Sequence, residues 1–252
     1  MRESEIAKLV ASALQEAQDT AAHWFSAPNA ETQDMRAYFL DCAKLGTGTD
    51  DLRVLFQRLQ TVGQAFETQC PQHSAVYLLG LLSAVMAHGE ARENFRAPFS
   101  VFSLLGSAAR KPTHDYFEAL TEENAITTGD KMYLKYGLQG VRGEASGSLG
   151  VLTLHVLPAW KENIGKGMDA SEASARAFLH LLSLVKDTTA VALLGMEKTD
   201  ALSERAKTLK DTVSADEIRQ FGKELQVLRF PLNGYISLLA CGFAIRDFCT
   251  IV

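Results

Sequence analysis

Apolar residues recur along this chain at helical spacing, and almost nothing in it alternates as a strand would. Residues 3–25 place Ile6, Leu9, Val10, Ala13, Leu14 and Ala17 on one face, the stripe of an amphipathic helix. SAPN at 26–29 interrupts that stripe, because proline restricts its predecessor and cannot extend a helix. A second helix is predicted from Asp34, with Met35, Tyr38, Phe39 and Cys42 inward; GTGTDD ends it, and Thr49 or Asp50 can cap a third. In that third helix Leu52, Leu55, Phe56, Leu59, Val62, Gly63 and Phe66 follow at helical spacing, up to Cys70-Pro71. QHSAVYLLGLLSAVMAH (72–88) is apolar all round, which predicts a central helix, with Gly80 leaving room for a neighbour.

Residues 91–110 turn Phe95, Phe99, Phe102, Leu105 and Ala109 inward, with Pro98 a possible break; Lys111-Pro112 is read as the start of a separate short helix. Past a glycine-rich centre, 148–164 reads as a helix kinked at Pro158. Asp169 with Glu172 is a capping box opening a buried helix that runs to Val185. Helices at 190–195 and 199–212 come next, then a second capping box at Ser214 and Glu217, and a last helix over 231–248 that buries Leu238, Leu239, Phe243 and Ile245. The expectation is an all-α fold, a single-domain bundle of roughly ten helices over residues 1–252.

Composition narrows the function classes. Of 252 residues, 47% are hydrophobic and 22% charged, ordinary for a globular protein. A net charge of −5 gives no basic footprint for nucleic acid. No apolar run reaches the ~18 residues of a membrane span, and MRESEIAKLVAS is charged where a secretion signal is apolar. We therefore expect a cytoplasmic protein without a nucleic-acid or membrane partner. Cys42, Cys70, Cys241 and Cys249 show no metal-binding spacing and read as reduced thiols.

Chemistry concentrates in YGLQGVRGEASGSLGV (136–151), which carries Gly137, Gly140, Gly143, Gly147 and Gly150 around Arg142 and Glu144. Glycines permit sharp turns and close approach to a ligand. An arginine fork grips phosphate oxygens, and a glutamate beside it can hold Mg²⁺ or accept a proton from a hydroxyl. A plain connector with two surface charges fits the same residues. Asp187-Thr188-Thr189 can bind metal or phosphate, or simply cap the next helix. Asp34 is a cap or a site carboxylate, and His73 a ligand, an acid or a filler. His155 and His180, inside apolar helices, read as hydrogen-bonded core residues.

These segments resemble a known family, the triphosphoribosyl-dephospho-CoA synthases. YGLQGVRGEA resembles the family's YG-x-x-G-[AV]-RGEA, Leu157-Pro158 its LP, and KDTTAV its NDDTN. TTGDKMYLKYG is similar to THGxxLxxxYG, QHSAVYLLGLLSA to NTHKGAIFxLGLL, ETQDM to GSHxDM, and FPLNGYISLLA to SPGGSADLLA, all in the same order over about residues 29–245. The resemblance implies an all-helical fold and a transfer in cofactor assembly, in which the 2′-hydroxyl of dephospho-CoA displaces adenine from the ATP ribose. It further implies Arg142 and Glu144 in catalysis, Gly143, Asp34, His73 and Thr188 against substrate, and Asp187 with Glu144 on Mg²⁺. The chain departs from the family pattern in four places. TAAHWF stands where KPGLVD is expected, His73 or Ser74 stands in place of the lysine of NTHKG, Val185, Lys186 and Thr189 replace the Asn, first Asp and last Asn of NDDTN, and Ile236 replaces the Asp of GGSAD. Two readings follow: a diverged transferase acting on a nucleotide or phosphorylated small molecule, or a non-catalytic helical binding or scaffold protein that kept the fold.

Overall fold

The computed structural model describes residues 1–27, 35–51, 54, 55, 57, 58, 77–91, 99–212 and 214–251. Asp34, His73, Cys70, Pro98 and most of the third expected helix lie outside the described residues. Among the described residues no strand occurs, and twelve α-helices and one π-helical turn can be followed from end to end. The fold is all-α, as the periodicity implied.

Helix α1 (Glu3–Phe25) buries the expected stripe and extends it through Ala21, Trp24 and Phe25. Glu5 accepts the Arg2 amide at its start, and Ser26 closes it in a left-handed turn. Helix α2 (Arg36–Thr47) turns Phe39 and Cys42 inward. Helix α3 (Tyr77–Glu90) is the axis of the molecule, with every residue from Tyr77 to Gly89 buried. It packs against α1, α2, α4 and α12. Two glycines set how closely α2 and α3 approach. A Cβ on Gly46 would fall 2.0 Å from the Ala84 carbonyl oxygen, and one on Gly80 would fall 2.5 Å from the Tyr38 hydroxyl.

Helix α4 (Phe99–Glu118) corrects one expectation. Pro112 does not open a new helix; it sits inside this one. Proline forfeits one backbone hydrogen bond at a cost of ~3 kcal/mol or more. Phe102, Leu105, Ala109, Thr113 and Phe117 nevertheless form one continuous buried stripe across it, and burying two Phe and a Leu offsets that cost.

Helix α5 (Thr128–Tyr136) and the short α6 (Gly140–Ser146) follow. The stretch from Gly147 leads to the π-helical turn Leu152–Val156 and α7 (Leu157–Gly165). The kink expected at Pro158 is this π turn. Without a proline amide the ladder shifts, and the Leu157 amide reaches the Leu152 carbonyl. Helices α8 (Ala170–Leu184), α9 (Thr188–Leu194), α10 (Met196–Thr212), α11 (Ala215–Val227) and α12 (Asn233–Ile251) complete the chain. Helix α12 lies along α1, where Arg246 makes paired hydrogen bonds to Glu16.

Two histidines differ from expectation. His155 is exposed on the π turn, and the buried Nδ1 of His180 has no hydrogen-bond partner. His155 sits on the π turn, where the shifted register carries its ring outward, while His180 lies within regular α8 and is half-buried.

Candidate functional site

The glycine-rich centre is mostly helix rather than an open bend. Gly137 ends α5 in a left-handed turn with φ 70°, and Gly140 opens α6 with φ 54°. Arg142, Gly143, Glu144 and Ala145 then form the body of α6. The Gly143 amide donates to the Gln139 carbonyl at 3.2 Å, so it is engaged within the helix and not turned outward as part of a phosphate nest. The sharp reversal comes after α6, at Ser148 and Leu149, two non-glycine residues with positive φ.

Arg142 is held by aromatic rings and an acid. Its guanidinium lies 4.6 Å from the ring centroid of Tyr116, on α4, and 5.5 Å from that of Tyr77, at the start of α3. The Tyr116 hydroxyl donates to Asp130 Oδ1. Asp130 Oδ2 accepts the amides of Ile126 and Thr127 at 3.2 and 2.8 Å, while the Asp130 amide donates to Thr127 Oγ1. This reciprocal pair is the capping box of α5. Burial alone would raise the Asp130 carboxyl. The Tyr116 hydroxyl, Thr127 and the Arg142 charge outweigh it and hold the group below the usual carboxylate range.

Glu144 is half-buried. Burial pushes its carboxyl above the usual range, partly offset by the Val151 amide. Asp187 caps α9, with Oδ1 accepting the Thr189 and Ala190 amides at 2.9 Å each. Its carboxyl is also pushed up by burial, against the lowering effect of those amides and the Thr189 side chain. Two neighbours on α12 fix this corner. A Cβ on Gly234 would fall 2.1 Å from Asp187 Oδ2. The Tyr235 hydroxyl accepts the Asp187 amide and donates to the Val185 carbonyl at 3.0 Å.

Thr188 joins the two halves. Its methyl lies 3.2 Å from where a Gly140 Cβ would stand, and its hydroxyl 3.9 Å from a Cβ on Gly129. Helices α5 and α9 pack together at this point. The structure thus brings Arg142, Asp130, Thr188 and the Asp187 cap into one neighbourhood. Lys186, standing where the family pattern has an acid, pairs instead with Asp200 on α10 at 2.7 Å. Ile236 is buried in the core.

Asp130, Tyr116 and Tyr77 were not singled out from sequence. The signal for Asp130 was present: Thr127-x-x-Asp130 is a capping-box spacing inside the segment that resembles the family. Tyr116 and Tyr77 are distant in sequence and have no such signature.

Carboxylate oxygens are the right donors for Mg²⁺, which takes one or two of them and completes its shell with water and substrate phosphates. The described residues contain no group of three or more His, Cys, Asp or Glu arranged to hold a metal. Of the two acids expected on Mg²⁺, Glu144 lies on α6 and Asp187 caps α9. Each is a partly buried carboxyl whose proton affinity is raised by desolvation, against the lowering effect of the amides it accepts.

The fold is all-helical, with Arg142 on α6 and the Thr188 and Asp187 corner of α9 set about one helix junction. The comparisons are more specific. Residues 35–233 match the CitG family, ATP:dephospho-CoA triphosphoribosyl transferase, and the chain belongs to that family. It is 35% identical over 92 residues to the 2-(5''-triphosphoribosyl)-3'-dephosphocoenzyme-A synthase of Pectobacterium atrosepticum, a stretch covering 36% of this chain and 31% of the relative. It is 30% identical over 96 residues to the probable 2-(5''-triphosphoribosyl)-3'-dephosphocoenzyme-A synthase of Streptococcus mutans, covering 38% and 32%. The aligned stretch thus spans about a third of the length of these curated relatives. No solved structure matches the chain. Among the described residues no single helix is long and apolar enough to cross a membrane.

Proposed function

We propose that this protein is a transferase of the triphosphoribosyl-dephospho-CoA synthase type, acting on a nucleoside triphosphate in the assembly of a cofactor or prosthetic group. The observation that carries this reading is the RGE segment. It lies within the family match, and it sets Arg142 and Glu144 on one short helix against the Thr188 junction. Residues 1–252 act as one helical unit in this proposal, located in the cytoplasm.

The chemistry assigned to each side chain follows from its surroundings. Arg142 supplies a fixed charge for triphosphate oxygens. Glu144, whose proton affinity is raised, is suited to take a proton from the attacking hydroxyl as it reacts. Thr188 offers a hydroxyl at the junction, and Asp187 with Glu144 would hold Mg²⁺, which supplies charge neutralisation of the phosphates. Gly143 contributes closeness rather than an amide. Asp34 and His73 are assigned to the substrate by the resemblance alone.

The test is incubation with ATP, Mg²⁺ and dephospho-CoA, followed by chromatography for free adenine. Adenine release that falls strongly in Glu144→Gln supports the assignment. No release, with no thermal shift from any nucleotide, would support the non-catalytic binding or scaffold reading instead.

A further inference from the structure

Beyond the residues that family likeness suggests, the packing around Arg142 has a consequence of its own. A guanidinium on a seven-residue helix has many rotamers open to it, and binding an anion with a loose arginine costs the entropy of fixing that side chain. Here the fixing is done by elements remote in sequence. The ring of Tyr116 lies under the guanidinium, 4.6 Å away, and Tyr77 borders it. Tyr116 is itself tethered, because its hydroxyl donates to Asp130 Oδ1. Asp130 is almost inaccessible, with 4% of its surface exposed, and its second oxygen is anchored by the Ile126 and Thr127 amides. The chain of contacts therefore runs from the capped start of α5, through a phenol on α4, to the arginine on α6. A carboxylate whose two oxygens are both occupied by its own scaffold is poorly placed to ligate a substrate or a metal. It is well placed to orient a neighbour.

The geometry points to Asp130 and Tyr116 as positioning residues that hold the Arg142 guanidinium in register for the phosphates of a nucleotide ligand, an inference that rests on the nucleotide-transferase reading above. Tyr116 supplies the surface on which the guanidinium lies, and Asp130 fixes Tyr116 while adding an opposite charge. Preorganisation of this kind acts on a charged ligand and leaves an uncharged analogue untouched.

Calorimetric titration separates this role from a merely structural one. The probes are ATP with Mg²⁺, inorganic tripolyphosphate, and adenosine. The proteins are the parent, Tyr116→Phe, Asp130→Asn, Arg142→Gln, and each of the first two combined with Arg142→Gln. Tyr116→Phe keeps the ring and removes only the tether, so it remains informative where Asp130→Asn loosens the helix cap. The expected result is that each single variant weakens ATP and tripolyphosphate by about tenfold, leaves adenosine unchanged, and adds nothing once Arg142 is gone. Tyr116→Phe and Asp130→Asn binding both anions like the parent, while Arg142→Gln does not, would overturn the inference. So would equal weakening of adenosine and ATP, or full effects that persist in the Arg142→Gln background. Failure of the parent to bind any of the three probes would instead bring down the nucleotide reading, and the positioning role with it.

Discussion

Two of the capping aspartates in this protein stand beside the candidate site, and the two acids have opposite characters. Asp130 begins α5 and Asp187 begins α9; both accept backbone amides of their own first turns or caps. Asp130 also receives a phenolic hydroxyl and faces the Arg142 charge, and its carboxyl is held below the usual range. Asp187 has amides and a threonine but no cation among the groups that act on it, and burial pushes it up. The difference teaches how to sort acids near a candidate site. A carboxylate that receives a hydroxyl and faces a cation keeps its charge at little cost, and one held only by amides and a threonine does not.

That contrast can be broken by mutation, and the largest effect is expected at Asp130. Asp130→Ala removes the cap of α5 and strands the Tyr116 hydroxyl, so thermal denaturation should report a loss of about 2–4 kcal/mol. A midpoint equal to the parent's would mean that the acid is not structural. Gly234→Ala comes next. The added methyl meets Asp187 Oδ2 and must displace it, at a cost of about 1–3 kcal/mol by denaturant titration. A neutral outcome would show the Asp187 corner to be loose. Asp187→Asn should move stability by less than about 1 kcal/mol at neutral pH, and upward, because the amide oxygen keeps the cap while the buried charge is gone. A clear loss would place Asp187 with Asp130 and erase the contrast.

The smallest effect is the pH dependence. Asp130, with its lowered affinity for protons, contributes stability above the ordinary carboxylate range and loses it as pH falls through its own lower value. Asp187 and Glu144 bind protons more tightly when folded, so their charges cost stability at neutral pH and that cost is relieved on mild acidification. The melting midpoint of the parent should hold or rise slightly as pH first drops, then fall. Asp187→Asn combined with Glu144→Gln should abolish the early rise, and Asp130→Asn should shrink the later fall.

The helical class and most element positions were legible in the spacing of apolar residues. A stripe of Ile6, Leu9, Val10, Ala13 and Leu14, or a run from Tyr77 to Ala87 that is apolar but for Ser83, has only one economical way to be buried. Pro112 misled because local proline chemistry argues for a break, while the stripe that overrides it is a tertiary fact. The glycine centre misled in the same way. Its glycines permit a loop, but Arg142 to Ala145 take a helical turn that packs on α4. The site was partly legible: Arg142, Glu144, Asp187 and Thr188 stand out by type and order. Tyr116 and Tyr77 could not be found, since what gathers them around Arg142 is the packing of α3, α4 and α6 rather than any spacing along the chain. Asp34 and His73 lie outside the described residues.

The most direct measurement is the rate of adenine release from ATP in the presence of dephospho-CoA and Mg²⁺, compared between the parent and Arg142→Gln at matched folded fraction. The account expects release by the parent and a fall of about a hundredfold or more in the variant, the scale of losing one charge-stabilising donor. Release at the parent's rate from Arg142→Gln would contradict it.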